Sequence, residues 1–139
     1  MRKRIVLLLS IVMVLMLSTV AFAAEQDTVV TEEPIDEYTS VIRIDASLSR
    51  SGSTATSNIV VTEKIDLDSI KGTLKLVNSS GTTVATKNVT FTHHGTTLYN
   101  TTSFNLSKKG TYKVKFTLKT YKNGTLKETI AGSTNTVKK

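Results

Sequence analysis

The sequence predicts an all-β domain, and three observations support this prediction. From residue 40 onward, apolar and polar residues alternate in short runs, which is the pattern of half-buried strands. Gly, Asn and Ser residues separate the runs. No helical periodicity follows the apolar N-terminal segment. The length of 139 residues allows one such domain.

Two predicted turns mark the limits of the first three strands. The turn at residues 50–53 separates the first strand from the second, and the turn at residues 78–81 ends the third. The residues expected to face the core are Ile42, Ile44, Ala46 and Leu48 in the first strand, Ala55, Ser57, Ile59 and Val61 in the second, and Leu74 and Leu76 in the third. Residues 83–91 form a fourth strand of ambiguous phase, which ends before His93-His94-Gly95. Residues 98–106 form a fifth.

The sixth strand has the clearest alternation in the chain. Its inward residues are Tyr112, Val114, Phe116 and Leu118, and its outward ones are Lys113, Lys115, Thr117 and Lys119. Asn123-Gly124 follows, a pair that favours a two-residue hairpin because both residues tolerate positive φ. Residues 126–131 then return as the seventh strand. A regular hairpin places Lys119 opposite Glu128, a favourable cross-strand pair.

Seven short strands joined by tight turns predict a single immunoglobulin-like antiparallel β-sandwich. Tyr112 stands at the start of the sixth strand, after Leu106 and Gly110. This position is typical of a tyrosine corner, in which the hydroxyl bonds back to the preceding loop. The alternative is an ordinary core tyrosine of an antiparallel sheet.

Three stretches resemble a group of small secreted proteins from Gram-positive, clostridial-type bacteria: SVIRIDASLSRSGSTATS (40–57), GTLKL (72–76) and GTYKVKFTLKTY (110–121). The resemblance extends over most of residues 38–131 and implies an immunoglobulin-like sandwich. It transfers no catalytic or binding residue, because that family has none assigned. Ser57 stands where some relatives have Cys, and the Trp of many immunoglobulin-like domains is absent.

The N-terminus has the three parts of a secretory signal. Residues 2–4 are basic, residues 5–20 are largely apolar, and Ala21-Phe22-Ala23 places small residues where a signal peptidase cleaves. We therefore expect a signal-peptide helix over residues 1–23, cleavage after Ala23, and a secreted, extracellular protein associated with the cell wall. The alternative is an uncleaved anchor, although a bilayer span needs about 20 apolar residues.

Residues 24–39 are predicted to be an acidic, disordered linker before a basic domain at residues 40–139. Residues 24–40 contain six acidic residues and no basic one, whereas residues 41–139 contain 15 basic and five acidic residues. Dense like charge with low hydrophobicity is typical of disorder. The linker is either a solvated spacer or a segment that lies across the positive face of the domain.

Few residues point to catalysis or metal binding, and we expect neither an enzyme nor a cofactor. The chain has no Cys, nucleophile-elbow motif or phosphate-binding loop. His93 and His94 are adjacent, so on a strand they point to opposite faces. Glu63, Asp66 and Asp68 form a small acidic cluster, which is either a calcium site or a set of solvated loop acids.

The candidate binding surface is a set of seven lysines around the sixth strand and its hairpin: Lys108, Lys109, Lys113, Lys115, Lys119, Lys122 and Lys127. Clustered lysines attract polyanions through long-range field and counterion release. The alternative is a solubilising surface that blocks pairing at a sheet edge.

Two functions remain open. The first is a secreted, non-catalytic module that binds an extracellular protein or glycan through its loops. The second is a polyanion binder that uses the lysines on teichoic acid or another cell-wall polymer. No specific nucleic acid is expected, and membrane contact is expected only through the signal peptide before cleavage.

Overall fold

The computed structural model describes residues 38–139. The predicted signal peptide and residues 24–37 of the predicted linker lie outside the described residues. The strands are β1 (Val41–Ser51), β2 (Thr54–Glu63), β3 (Ser69–Asn78), β4 (Thr83–Thr90), β5 (Thr92–His94), β6 (Thr97–Asn105), β7 (Thr111–Lys122), β8 (Thr125–Ser133) and β9 (Val137–Lys138). Between residues 38 and 139 there is no helix with the length and hydrophobicity to span a membrane.

The strands form two antiparallel sheets with the order of an immunoglobulin-like sandwich. One sheet has the order β1-β2-β6-β5, and the other has the order β4-β3-β7-β8, with β9 also paired to β7. Immunoglobulin-like domains divide their strands in this way, and β4 is an addition beside β3. The predicted fold class is confirmed. β5 and β9 were not among the predicted strands.

Alternation along β2 and β7 places one side of each strand in a shared core. Ala55, Ser57, Ile59 and Val61 are all buried, and so are Tyr112, Val114, Phe116 and Leu118, as predicted. Leu74 and Leu76 of β3 are also buried. The inner faces of both sheets contribute to one hydrophobic cluster, so the core lies between the sheets.

The start of β1 departs from the predicted alternation. The register with β2 shifts between Val41 and Arg43, which leaves Ile42 as an extra residue. A bulge of this kind turns a side chain to the other face. Val41 is therefore buried and Ile42 is 46% exposed, so the prediction for Ile42 is wrong, whereas Leu48 is buried as predicted.

The β7–β8 hairpin has the predicted turn but a different register. Asn123 and Gly124 have φ angles of 52° and 70°, as a two-residue type I′ turn requires. The register then shifts between Thr120 and Tyr121. Glu128 consequently lies opposite Thr120, and the predicted pair of Lys119 with Glu128 is wrong.

Tyr112 forms the predicted tyrosine corner. Its hydroxyl donates a hydrogen bond of 2.8 Å to the carbonyl oxygen of Lys108, four residues upstream. The tyrosine is only 4% exposed, so its ring belongs to the core. The bond fixes the loop that leads into β7.

The side chain of Asn135, between β8 and β9, connects the C-terminal part of the chain to β1. Asn135 Oδ1 accepts a 2.7 Å hydrogen bond from the backbone N of Leu48, and Asn135 Nδ2 donates a 3.0 Å bond to the carbonyl oxygen of Leu48. The amide of Asn135 thus takes the place of a neighbouring backbone for one residue of β1, which is an edge strand.

Candidate functional site

The predicted lysines of β7 project from the outer face of the five-stranded sheet. Val114, Phe116 and Leu118 are buried, so alternation directs Lys113, Lys115 and Lys119 away from the core. β7 lies between β3 and β8, and is therefore an interior strand and not an edge. The interpretation of these lysines as edge protection is wrong for this reason.

Two further lysines join them from β3. Lys71 lies opposite Lys119, and Lys75 lies opposite Lys115. Both β3 lysines are exposed. Sequence reasoning missed them because it had no information on which strand pairs with β7. Their alternation with buried Ile70, Leu74 and Leu76 was the available signal that they face outward.

We call these five residues the lysine face: Lys71, Lys75, Lys113, Lys115 and Lys119. Their partners on the flanking strands are neutral, because Lys71 and Lys75 lie opposite Thr90 and Thr86 of β4. On the other side, Lys115 and Lys119 lie opposite Ser133 and Thr129 of β8.

Glu128 is the single acidic residue in the five described strands of this sheet. Its carboxylate points away from the lysine face, to the backbone N–H groups of Thr39 and Ser40 at 3.2 and 3.1 Å. No carboxylate of these strands therefore neutralises the lysine face.

Three of the other four predicted lysines lie outside the lysine face. Lys127 projects from β8 to the same side of the sheet as the lysine face, because its neighbour Glu128 points to the opposite side. Lys108 and Lys109 are exposed in the loop before β7, and Lys127 is exposed at the register shift of β8. Lys122 donates a 2.6 Å hydrogen bond to the carbonyl oxygen of Asp66. Three of the seven predicted lysines thus lie on the lysine face, Lys127 lies beside it, and β3 adds two lysines that were not predicted.

A shallow open depression lies on the lysine face between β4, β3 and β7. Its lining residues are Lys71, Gly72, Thr73, Asn88, Val89, Thr90, Thr117 and Lys119. Thr73 Oγ1 donates a 3.1 Å hydrogen bond to Asn88 Oδ1, and the Lys71 ammonium lies 5.6 Å from the centroid of the Tyr121 ring. The depression offers ammonium, hydroxyl and amide groups, but no Arg fork for bidentate recognition of phosphate.

Two members of the predicted acidic cluster, Glu63 and Asp68, accept hydrogen bonds from nearby backbone N–H groups. Glu63 Oε2 accepts a 2.8 Å hydrogen bond from the backbone N of Leu67, and Asp68 Oδ2 accepts one of 3.1 Å from that of Gly124. Within residues 38–139, no group of three or more His, Cys, Asp or Glu residues is placed to hold a metal ion. His93 lies on β5 with Nε2 3.3 Å from the carbonyl oxygen of Asp68.

The outer face of the four-stranded sheet has a different chemistry. Tyr99 is 43% exposed there, on the same face as Asn58 and Thr101. Thr101 Oγ1 donates a 2.8 Å hydrogen bond to Asn58 Oδ1. Arg43 and Asp45 form an ion pair of 2.6 Å on the neighbouring strand β1. This surface offers an aromatic ring with neutral amide and hydroxyl groups on β2 and β6 and one ion pair on β1.

Comparison with known protein families gives no match, and comparison with curated proteins gives none either. Solved structures with a similar fold include the following two. A Lactobacillus rhamnosus beta-glucuronidase aligns with a TM-score of 0.41 and 18% identity, over 67% of this chain and 15% of that enzyme. A Br derivative of BhCBM56, a carbohydrate-binding module, aligns with a TM-score of 0.40 and 13% identity, over 73% of this chain and 98% of the module.

The chain spans 15% of the length of the glucuronidase that it matches. At these TM-scores, neither likeness assigns a ligand or an activity to the chain. The resemblance to clostridial-type secreted proteins stays a prediction.

Proposed function

We propose that this chain is an extracellular, non-catalytic β-sandwich module that binds an anionic cell-wall polymer, such as teichoic acid, through the lysine face. The observation that carries the proposal is the direct pairing of Lys71 with Lys119 and of Lys75 with Lys115. Like charges in directly opposed positions destabilise a sheet. Because β3 and β7 are interior strands, edge protection does not account for this arrangement.

Binding by this surface depends on charge. A polymer that contacts the lysines releases its condensed counterions, and this release supplies the binding free energy. Lys113, Lys115 and Lys119 occupy three of four successive outward positions of β7, with Thr117 at the fourth, so they follow a line about 20 Å long. Ammonium groups act as point charges, so we expect recognition of charge density and not of a particular repeat unit.

Three substitutions test this function. Lys113→Gln, Lys115→Gln and Lys119→Gln together remove the three β7 lysines of the five-residue lysine face and keep the strand. Exposed substitutions usually change stability by less than about 0.5 kcal/mol each. Affinity for labelled, purified teichoic acid is measured between 50 and 200 mM salt. With five contacts, the wild-type affinity falls about 100-fold over this range, and the variant's fall is much smaller.

A matched control separates the lysine face from overall charge. Lys64→Gln, Lys108→Gln and Lys109→Gln together remove the same charge from exposed positions outside the face. The control binds nearly as well as the wild type. Equal losses in the two triple variants show a nonspecific charge effect, and wild-type affinity in the β7 variant shows that the lysines only solubilise the protein. Either result rejects the proposal.

A neutral glycan or a protein is the second candidate partner, and the exposed Tyr99 favours it. An aromatic ring beside amide and hydroxyl groups suits a sugar, which offers an apolar ring face and hydroxyl groups. Binding at this surface changes little with salt. Tyr99→Ala abolishes the retention of the protein on purified neutral polysaccharide if this candidate is right, and leaves it unchanged if it is wrong.

The predicted signal peptide supports an extracellular setting, and the resemblance to secreted proteins of Gram-positive bacteria favours a Gram-positive cell. The protein recovered from culture medium or cell wall then begins at Ala24, as N-terminal sequencing detects. A membrane fraction that contains the chain with Met1 intact contradicts this setting and favours the anchor.

A further inference from the structure

The described chain begins at β8, the edge strand beside β7, on the side of the sheet opposite to the lysines. The Glu128 carboxylate accepts hydrogen bonds from the backbone of Thr39 and Ser40, and Ser40 Oγ lies 2.5 Å from Glu128 Oε2. Ser40 Oγ also lies 3.0 Å from Thr120 Oγ1, and both residues are fully buried. The chain is therefore fixed to β7 and β8 at residue 40.

Only the edge strand β8 separates this attachment point from the lysine face. Thr120 and Glu128 are register partners, and their neighbours in sequence are Lys119 and Lys127. Thr120 faces the core and Lys119 faces outward, because the side chains alternate along the strand. A chain that leaves residue 38 needs only to pass β8 to reach Lys119, and adjacent strands are about 4.8 Å apart.

The preceding sequence has the complementary charge. Residues 24–37, here called the acidic segment, contain no basic residue. Its six acids are Glu25, Asp27, Glu32, Glu33, Asp36 and Glu37. The lysine face carries five positive charges, and the strands that form it direct no acid to that side.

The acidic segment is also long enough. Its 14 residues reach up to about 45–50 Å when extended, which exceeds the length of about 20 Å from Lys113 to Lys119. A flexibly tethered group has a local concentration in the millimolar range. An attraction that is weak between separate molecules is therefore sufficient within one chain.

We propose that the acidic segment occupies the lysine face and competes there with external polyanions. This inference rests on the proposed function, because it concerns the regulation of the same surface. Sparsely charged polymers fail to displace the acidic segment, whereas densely charged polymers succeed. The acidic segment thus raises the charge density that a ligand needs for binding.

Carbodiimide cross-linking of the purified chain tests occupancy without any ligand. The reagent joins a carboxylate to an amine in contact with it, and the linked peptides are identified by mass spectrometry. We expect intramolecular links from Glu32, Glu33, Asp36 or Glu37 to lysines of the face, and their loss in 1 M salt. Links that go mainly to Lys64, Lys108 or Lys109, or no links from these acids, overturn the inference.

Binding of purified teichoic acid tests competition. In the full chain, the six acids are replaced by their amides, Gln for Glu and Asn for Asp. We expect this variant to bind at least five-fold more tightly than the wild type at 50 mM salt, and nearly equally at 500 mM salt. Unchanged affinity at low salt overturns the inference.

The combined variant separates the two proposals. It carries the six amides together with Lys113→Gln, Lys115→Gln and Lys119→Gln. If the gain from the amides disappears in this variant, the acidic segment acts through the lysine face. If the gain persists in full, the acids act by general repulsion and the inference fails. Loss of binding on lysine substitution without any gain from the amides leaves the proposed function standing and rejects only the inference.

Discussion

The ring of Phe116 covers the backbone of Gly132, its register partner on β8. A Cβ atom at residue 132 would lie 2.4 Å from Phe116 Cζ, a distance that real Cβ contacts do not show. The absence of a side chain at residue 132 thus leaves room for an aromatic ring in the core. Phe116 is only 6% exposed in this position.

Both members of this pair are expected to be sensitive to substitution. Phe116→Ala removes a buried ring and lowers the free energy of unfolding by about 3–5 kcal/mol. Gly132→Ala displaces the ring and costs about 1–3 kcal/mol through overpacking. Urea denaturation measures both changes. The double variant Phe116→Ala/Gly132→Ala costs less than the sum, because the new methyl group meets no ring.

An unpaired hydroxyl in the core provides a stabilising substitution. Ser57 is fully buried, and its Oγ has no hydrogen-bond partner among the described residues. A buried polar group without a partner costs about 1–3 kcal/mol. Ser57→Ala removes the hydroxyl, so we expect an increase of about 1 kcal/mol in the free energy of unfolding.

The control for that substitution is Ser47→Ala at an exposed position of β1, where little change is expected. Thermal denaturation of the three proteins gives the comparison. Destabilisation by Ser57→Ala contradicts the prediction and indicates that a buried water satisfies the hydroxyl.

The tyrosine corner is tested by removing one oxygen. Tyr112→Phe keeps the buried ring and loses the 2.8 Å hydrogen bond to the Lys108 carbonyl. We expect a loss of about 1 kcal/mol in chemical denaturation. Tyr99→Phe, at an exposed position, serves as the control and changes stability by less than about 0.5 kcal/mol. Equal effects of the two substitutions exclude a stabilising role for the corner.

Repulsion on the lysine face is measurable without a ligand. Lys75→Glu replaces a like-charge pair with an opposite-charge pair across from Lys115, which stabilises the sheet by about 0.2–1 kcal/mol. The gain shrinks as salt screens the charges. Lys64→Glu makes the same change in net charge away from the face. If Lys64→Glu stabilises the protein by the same amount, the gain comes from the lower net charge and not from relief of repulsion between Lys75 and Lys115.

Local patterns were sufficient to predict most of the strands. Alternation identified the buried sides of β2 and β7, and Asn123-Gly124 identified the hairpin turn, because each signal depends on neighbouring residues alone. The bulges after Val41 and Thr120 were not predictable, since they arise where a strand adapts to its partner. Those bulges expose Ile42 and move Glu128 away from Lys119.

The candidate site was predictable only in part, because local sequence patterns do not show which strands pair with each other. The outward lysines of β7 followed from alternation within one strand. Lys71 and Lys75 join them only because β3 pairs with β7 at a sequence distance of about 40–50 residues. Nothing in the local sequence specifies that register, which depends on the packing of both strands against a common core.

The contact between Asn135 and Leu48 makes β1 easier to open locally than the strands of the five-stranded sheet. The amide of Asn135 bonds to Leu48 without any strand-to-strand pairing, so β1 meets the C-terminal part of the chain through a few side-chain hydrogen bonds. These bonds break without separating any strand of the five-stranded sheet. Amide protons of β1 near Leu48 therefore exchange with solvent through a local opening, whereas those of β3 and β7 exchange only when the whole domain unfolds.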